Sequence, residues 1–279
     1  MRIGICNETF GEMPLQQALD MAVSLGYTGW EVAPFMLGDD ANHITAAQRR
    51  EYRKTVRSAG LEVIGLHWLL AKTEGYHLTT DDAETRKRTA KYFESLIDLC
   101  GDLCEENSDG GQSAVMVLGS PLQRNRAAHI TTVTAMRHAA EVLGGLGPAL
   151  DRRGVRIAIE PLGPQEGNFL NTADEARVLK GLLDSPRFGL HLDVKAMSTE
   201  PEDIPTVIRN HADWMIHFHA NDPNRRGPGM GDVDFSPIIA TLRDVGYNGW
   251  VSVEVFDYEP GAETLARESI ATLRRLINA

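Results

Sequence analysis

The chain has 279 residues, 42% of them hydrophobic and 24% charged, which are ordinary values for a globular protein able to bury a large core. Its formal net charge of -11 speaks against nucleic acid and against an anionic membrane surface, since both are held by clustered lysine and arginine. Three cysteines, Cys6, Cys100 and Cys104, form neither an even-numbered framework nor a CxxC pair, and no run approaches the roughly 18 apolar residues of a membrane span, so a cytoplasmic protein with reduced thiols is expected.

Segment 2–6 reads as a short apolar strand, followed by a helix over 14–25 with Pro14 at its start and Gly26 just past its end. A strand at 29–33 leads to a helix at 45–59, opened by Thr45 and stopped at Gly60. A strand at 61–68 precedes a long helix at 81–101, where Tyr92, Phe93, Leu96, Ile97 and Cys100 fall at helical spacing. A strand at 114–119 gives way to helix 127–153, in which Gly144, Gly145 and Pro148 predict a break. Strands 155–160, 187–193, 214–219 and 250–256 then alternate with helices 172–183, 201–211, 237–246 and 261–277. Strands alternating with helices imply βαβ units and a parallel sheet, and eight such strands suggest closure. The fold class is therefore α/β, a single (β/α)8 TIM barrel over residues 1–279. The polar patch 105–113 is expected to be a mobile connection on the face opposite the site.

In such a barrel the functional side chains sit at the carboxyl ends of the strands. Strand five ends RIAIEPLG with Glu160, strand six ends GLHLDVK with Asp193, strand seven ends IHFHA with His219, and strand eight runs WVSVEVF with Glu254. Three carboxylates buried together are costly unless a cation neutralises them or arginines at the barrel rim pair with them. Three oxygen donors and one imidazole suit one divalent ion of intermediate hardness. Mn²⁺ or Mg²⁺ fits better than structural zinc, with Co²⁺, Ni²⁺ or catalytic Zn²⁺ as further candidates. His67 points at the site as an acid, base or substrate ligand, or is a satisfied core histidine. Glu31 is its equal as a candidate or else anchors the barrel, and His191 and His217 read as supports beneath the ligands. Trp68 offers an apolar wall to a sugar face. The run GPGMGDV lacks the strand-to-helix context of a nucleotide loop and reads as a lid.

These residues resemble the xylose-isomerase-like TIM barrels of the sugar phosphate isomerase/epimerase family, and in particular its ketose 3-epimerase branch. The order and intervals of Glu160, Asp193, His219 and Glu254 look like that family's metal quartet. The resemblance implies that Glu160 and Glu254 are the catalytic acid and base, that Arg225 in HANDPNRRGPG holds a substrate oxygen, and that Glu166 in EPLGPQEGNFLNT reaches the substrate's terminal oxygens. One departure is visible: family members acting on free ketoses often carry a histidine three residues after the metal aspartate, where this chain has Ala196. Its neighbours Lys195 and Met197 are not expected to replace that imidazole, so a compensating phosphate, carboxylate or bulky ring on the substrate is expected.

The chemistry implied is proton transfer next to a carbonyl through a metal-stabilised enediolate. Epimerisation or isomerisation of a sugar, sugar phosphate or keto-sugar derivative is the first reading. A metal-dependent lyase or dehydratase acting on a keto-sugar or keto-inositol is the alternative. The partner is a small polyhydroxylated substrate, and a homo-oligomer is compatible with the sequence.

Overall fold

The computed structural model describes residues 1–104 and 114–279, so the patch at 105–113 lies outside the described residues. The strands are β1 (Arg2–Cys6), β2 (Gly29–Val32), β3 (Glu62–Leu66), β4 (Ala114–Leu118), β5 (Val155–Ile159), β6 (Phe188–Asp193), β7 (Met215–Ala220) and β8 (Trp250–Val253). Each pairs in parallel with the next, and β1 pairs with β8, so the sheet closes in sequence order as the alternation implies.

The helices are α1 (Leu15–Leu25), α2 (Ala46–Ala59), α3 (Ala83–Cys104), α4 (Thr132–Gly144), α5 (Gly147–Arg153), α6 (Ala173–Gly181), α7 (Val194–Met197), α8 (Ile204–His211), α9 (Phe235–Asp244) and α10 (Ala262–Ile277). Local chemistry sets their ends. Thr45 and Gln48 form a reciprocal capping box at α2, and Gly60 closes that helix in the left-handed region at φ 98°, a backbone conformation that other residues adopt only with strain. The break foreseen in segment 127–153 separates α4 from α5. The one-turn α7 is not foreseen: Asp193 caps it, its Oδ1 accepting the Ala196 N–H at 2.8 Å.

Apolar side chains of helices and outward-facing strand positions form the main core, with Leu19, Val56, Phe93, Leu143, Ile208 and Leu273 fully buried. Inside the barrel the usual branched apolar layers give way to polar groups. Cys6, Glu31, His67, His191, His217, His219 and Ser252 are all buried there. The strand register shifts between Trp30 and Glu31 and again between Leu190 and His191. Such irregularities re-aim side chains, and both fall where a strand begins to turn polar groups inward. All three cysteines are free and buried. Among the described residues no helix is long and apolar enough to cross a membrane.

A cavity of about 510 Å³ opens at the amino-terminal ends of the strands, lined by Val115, Arg156, Ile216 and Tyr247. It holds none of the residues assembled at the opposite end.

Candidate metal centre and substrate cleft

Glu160 and Glu254 each stand one residue beyond the end of their strand, on β5 and β8, while Asp193 closes β6 and His219 lies near the end of β7. All four are buried. Ligand atoms of Glu160, Asp193, His191 and His219 lie within 4.8 Å of one another, and Glu254 Oε2 is 3.0 Å from His219 Nδ1. The four strand ends thus bring the four side chains together. Among the described residues no arginine forms an ion pair with them, although the charge of Arg124 favours ionisation of Glu160. Arg124 is buried beside Glu160 but donates from Nη1 to the backbone carbonyls of Leu118 and Glu160, and Glu254 instead accepts from Trp68 Nε1 at 2.9 Å. Gly119, after β4, makes room for Glu160: a Cβ there would lie 1.6 Å from Glu160 Oε2.

Beneath this cluster Glu31 meets two histidines. Its carboxylate is 3.0 Å from His217 Nε2 and 3.2 Å from His219 Nε2. An imidazole held at Nε2 by a carboxylate can offer Nδ1 to a cation once that nitrogen gives up its proton, which is the arrangement that orients a metal-ligating histidine. His217 therefore supports Glu31 from below. His191 stands 3.8 Å from Glu160 Oε1, and among the described residues neither of its ring nitrogens has a hydrogen-bond partner.

The charge balance fits a cation. Burial, together with the charges of Glu254 and Asp193, pushes the Glu160 carboxyl well above the ordinary range. Asp193 is also raised, by burial and by Glu254 against the pull of Lys195. Burial works against ionisation of Glu254 too, but the neighbouring His219 outweighs it and holds that carboxyl below its usual value. His219 is itself raised, because Glu31 and Glu254 overcome the effect of burial. Two facing carboxylates with pKa values driven in opposite directions have the character of an acid and base pair. His67, lowered to about 4 by burial, is a neutral imidazole at neutral pH. Its Nε2 lies 2.9 Å from Glu8, out of line for a hydrogen bond, and its Nδ1 lies 3.8 Å from Glu254.

His67, Trp68, Gly119, Glu160, Glu166, Glu254 and Phe256 line the cleft above the cluster. Trp68 is held at φ 53° with its indole N–H on Glu254, so it positions a carboxylate as well as walling the cleft. Arg225 is exposed at the mouth, where its Nη2 donates to the Phe256 carbonyl at 3.1 Å. The 221–235 loop is tied down internally, with Asp222 Oδ2 accepting from the Val233 amide and Asn224 Nδ2 donating to the Met230 carbonyl.

Beside Ala196, α7 carries Lys195 to the edge of the cleft, its four-carbon stem bringing Nζ to within 2.6 Å of Glu166 Oε2 and 4.6 Å of the Phe256 ring. Asn221 went unnoticed in the sequence. It donates from Nδ2 to Asp193 Oδ2 at 2.5 Å and accepts the Lys195 amide at 2.9 Å. Its position two residues after His219, on the same strand face, was the available signal.

With this geometry in place, the comparisons identify the class. The model of the xylose isomerase-like TIM barrel matches residues 19–276, and the chain belongs to that family. Among individual proteins, the chain is 25% identical to a probable ketose 3-epimerase of Synechocystis sp., over 72% of this chain and 73% of that one. A D-psicose 3-epimerase crystallised in the presence of D-fructose superposes with a TM-score of 0.83 at 20% identity, covering 100% of both chains. A 3-keto-D-glucoside 4-epimerase from E. coli gives 0.82 at 20% identity, covering 99% of both. At such identities the two structures are evidence of shared fold alone.

Proposed function

We propose that this chain is a divalent-metal-dependent epimerase or isomerase that moves a proton on the carbon next to a carbonyl of a polyhydroxylated substrate. The observation that carries the reading is the convergence of Glu160, Asp193, His219 and Glu254 at four successive strand ends, with His219 Nδ1 turned toward Glu254 and its Nε2 held by Glu31. The names of the sequence relatives, such as the probable ketose 3-epimerase of Synechocystis sp., favour this reading over the lyase alternative.

Glu160, Asp193, His219 and Glu254 would hold the ion, Mn²⁺ by the preference of an oxygen-rich set with one imidazole. When bound, the cation supplies Lewis-acid stabilisation of an enediolate that forms next to the carbonyl. Glu160 and Glu254 act as acid and base in turn, one taking the proton from one face of the carbon and the other returning one to the opposite face. Trp68 holds Glu254 in place for this transfer, and His67 is a neutral polar contact to the substrate. Arg225 and Glu166 bind substrate oxygens at the mouth.

The test is solvent exchange. Protein loaded with Mn²⁺ is incubated in deuterated water with a panel of keto-sugars, and NMR follows deuterium entering the carbon beside the carbonyl. Exchange that stops on chelation and returns with metal is expected. Exchange that persists without metal, or loss of a β-hydroxyl in place of exchange, refutes the proposal.

A further inference from the structure

Lys195 and Glu166 form a pair that core packing does not explain. The lysine side chain is only 7% exposed and the glutamate 26%; Glu166 lines the cleft, and Lys195 Nζ lies against two of its lining residues, Glu166 and Phe256. Their charges neutralise each other across 2.6 Å, which leaves the ammonium further N–H donors and the carboxylate its second oxygen. An ammonium carries three N–H donors, and here one side of it is taken by Glu166 and another by the Phe256 ring. Backbone contacts hold the pair in place: the Lys195 amide is bound by Asn221, which also holds Asp193. A donor and an acceptor are thus fixed side by side at the mouth, in register with the proposed metal ligands.

We infer that Lys195 and Glu166 act together as a clamp for two neighbouring hydroxyls of an uncharged substrate, the ammonium donating to one oxygen and the carboxylate accepting from the other. This inference rests on the proposed proton-transfer reaction and narrows its substrate class. An anionic group meets no unpaired positive side chain in the cleft lining: Glu166 already meets the charge of Lys195, and Glu160 and Glu254 would be matched by the ion. Arg124 Nε and Nη2 are sealed from solvent, while Arg225 is exposed at the rim, where one N–H meets the Phe256 carbonyl and the others are left for substrate oxygens. A phosphate needs charged donors free to turn toward it. A phosphate or carboxylate compensating for Ala196 is therefore not required, because Lys195 supplies the missing donor.

The experiment uses the full chain loaded with Mn²⁺ and two probe pairs, D-fructose with its 6-phosphate and 3-keto-D-glucose with its 6-phosphate. Deuterium exchange gives kcat/KM, and elemental analysis gives metal content. Wild type is expected to prefer the neutral member of a pair by tenfold or more. Lys195→Met should lose about a hundredfold in kcat/KM on it, the usual cost of removing one positioned donor, with metal content unchanged. In the double variant Lys195→Met with Glu166→Gln the charges balance again; a pair with a merely structural role would be rescued by it, and the clamp would not. A Lys195→Met variant within threefold of wild type, rescue by the double variant, or preference for the phosphate overturns the clamp. Absence of exchange by wild type on every probe refutes the proposed reaction itself and removes the basis of the clamp with it.

Discussion

Replacing Gly119 by alanine should disable the site while leaving the barrel standing. The added Cβ would lie 1.6 Å from Glu160 Oε2 and 2.8 Å from its Cδ, so the oxygen must retreat by about 1.8 Å to reach the 3.4 Å of ordinary contact. What gives way is the free end of a side chain, and Gly119 does not occupy the left-handed region, so alanine costs the backbone little. A metal ligand tolerates a few tenths of an ångström, and misplacing a reacting group by about 1 Å costs on the order of a hundredfold in rate. Gly119→Ala should therefore weaken Mn²⁺ binding in a chelator competition, slow deuterium exchange by about a hundredfold or more, and shift Tm by no more than about 3 °C. Gly65→Ala is the control. Its Cβ would meet the Val115 carbonyl oxygen at 2.1 Å, backbone against backbone between β3 and β4, so it should fold poorly or melt early. A Gly119→Ala protein with wild-type affinity and rate would show that Glu160 does not use the space the glycine leaves. A collapse like that of Gly65→Ala would show that the clash cannot be absorbed by a side chain.

Two further outcomes follow from the same geometry. Glu31→Gln removes the negative charge and puts an N–H₂ in place of one of the two oxygens that each face both histidines; it should lower Mn²⁺ affinity by about ten- to a hundredfold, read by calorimetric titration. Unchanged affinity would mean that His219 needs no orienting partner. Arg225→Lys keeps the charge but loses the planar fork that meets Phe256, so steady-state kinetics should show KM rising with metal content preserved, and metal loss would place the loop wrongly.

The barrel was legible because its signals are local and repeated. Periodicity, Pro14 and Gly26 at α1, the box at Thr45 and the glycine pair after α4 each specify one boundary without help from distant residues. The convergence of Glu160, Asp193, His219 and Glu254 was legible for a related reason, since once strands are parallel and closed, their carboxyl ends must meet. What escaped was the direction of side chains in short connections. Whether residue 195 or 196 faces the cleft depends on a single helical turn, nucleated by Asp193 acting as its cap, and no periodicity marks a turn so short. The placement of Trp68 on Glu254 likewise depends on a left-handed backbone at a bulky residue, which sequence preference argues against.

The trio of Glu31, His217 and His219 also bears on how this sequence can change over time. Each member is buried and answers to another, so replacing any one alone strands a donor or a charge in the barrel's interior at a cost of about 1–3 kcal/mol or more. Drift at these three positions is consequently tied: a descendant that loses Glu31 should also have altered His217, and the path between the two states passes through a weakened protein. The outer faces of α4 and α6, where Val133 and Val178 lie exposed, carry no such obligation and are free to vary residue by residue.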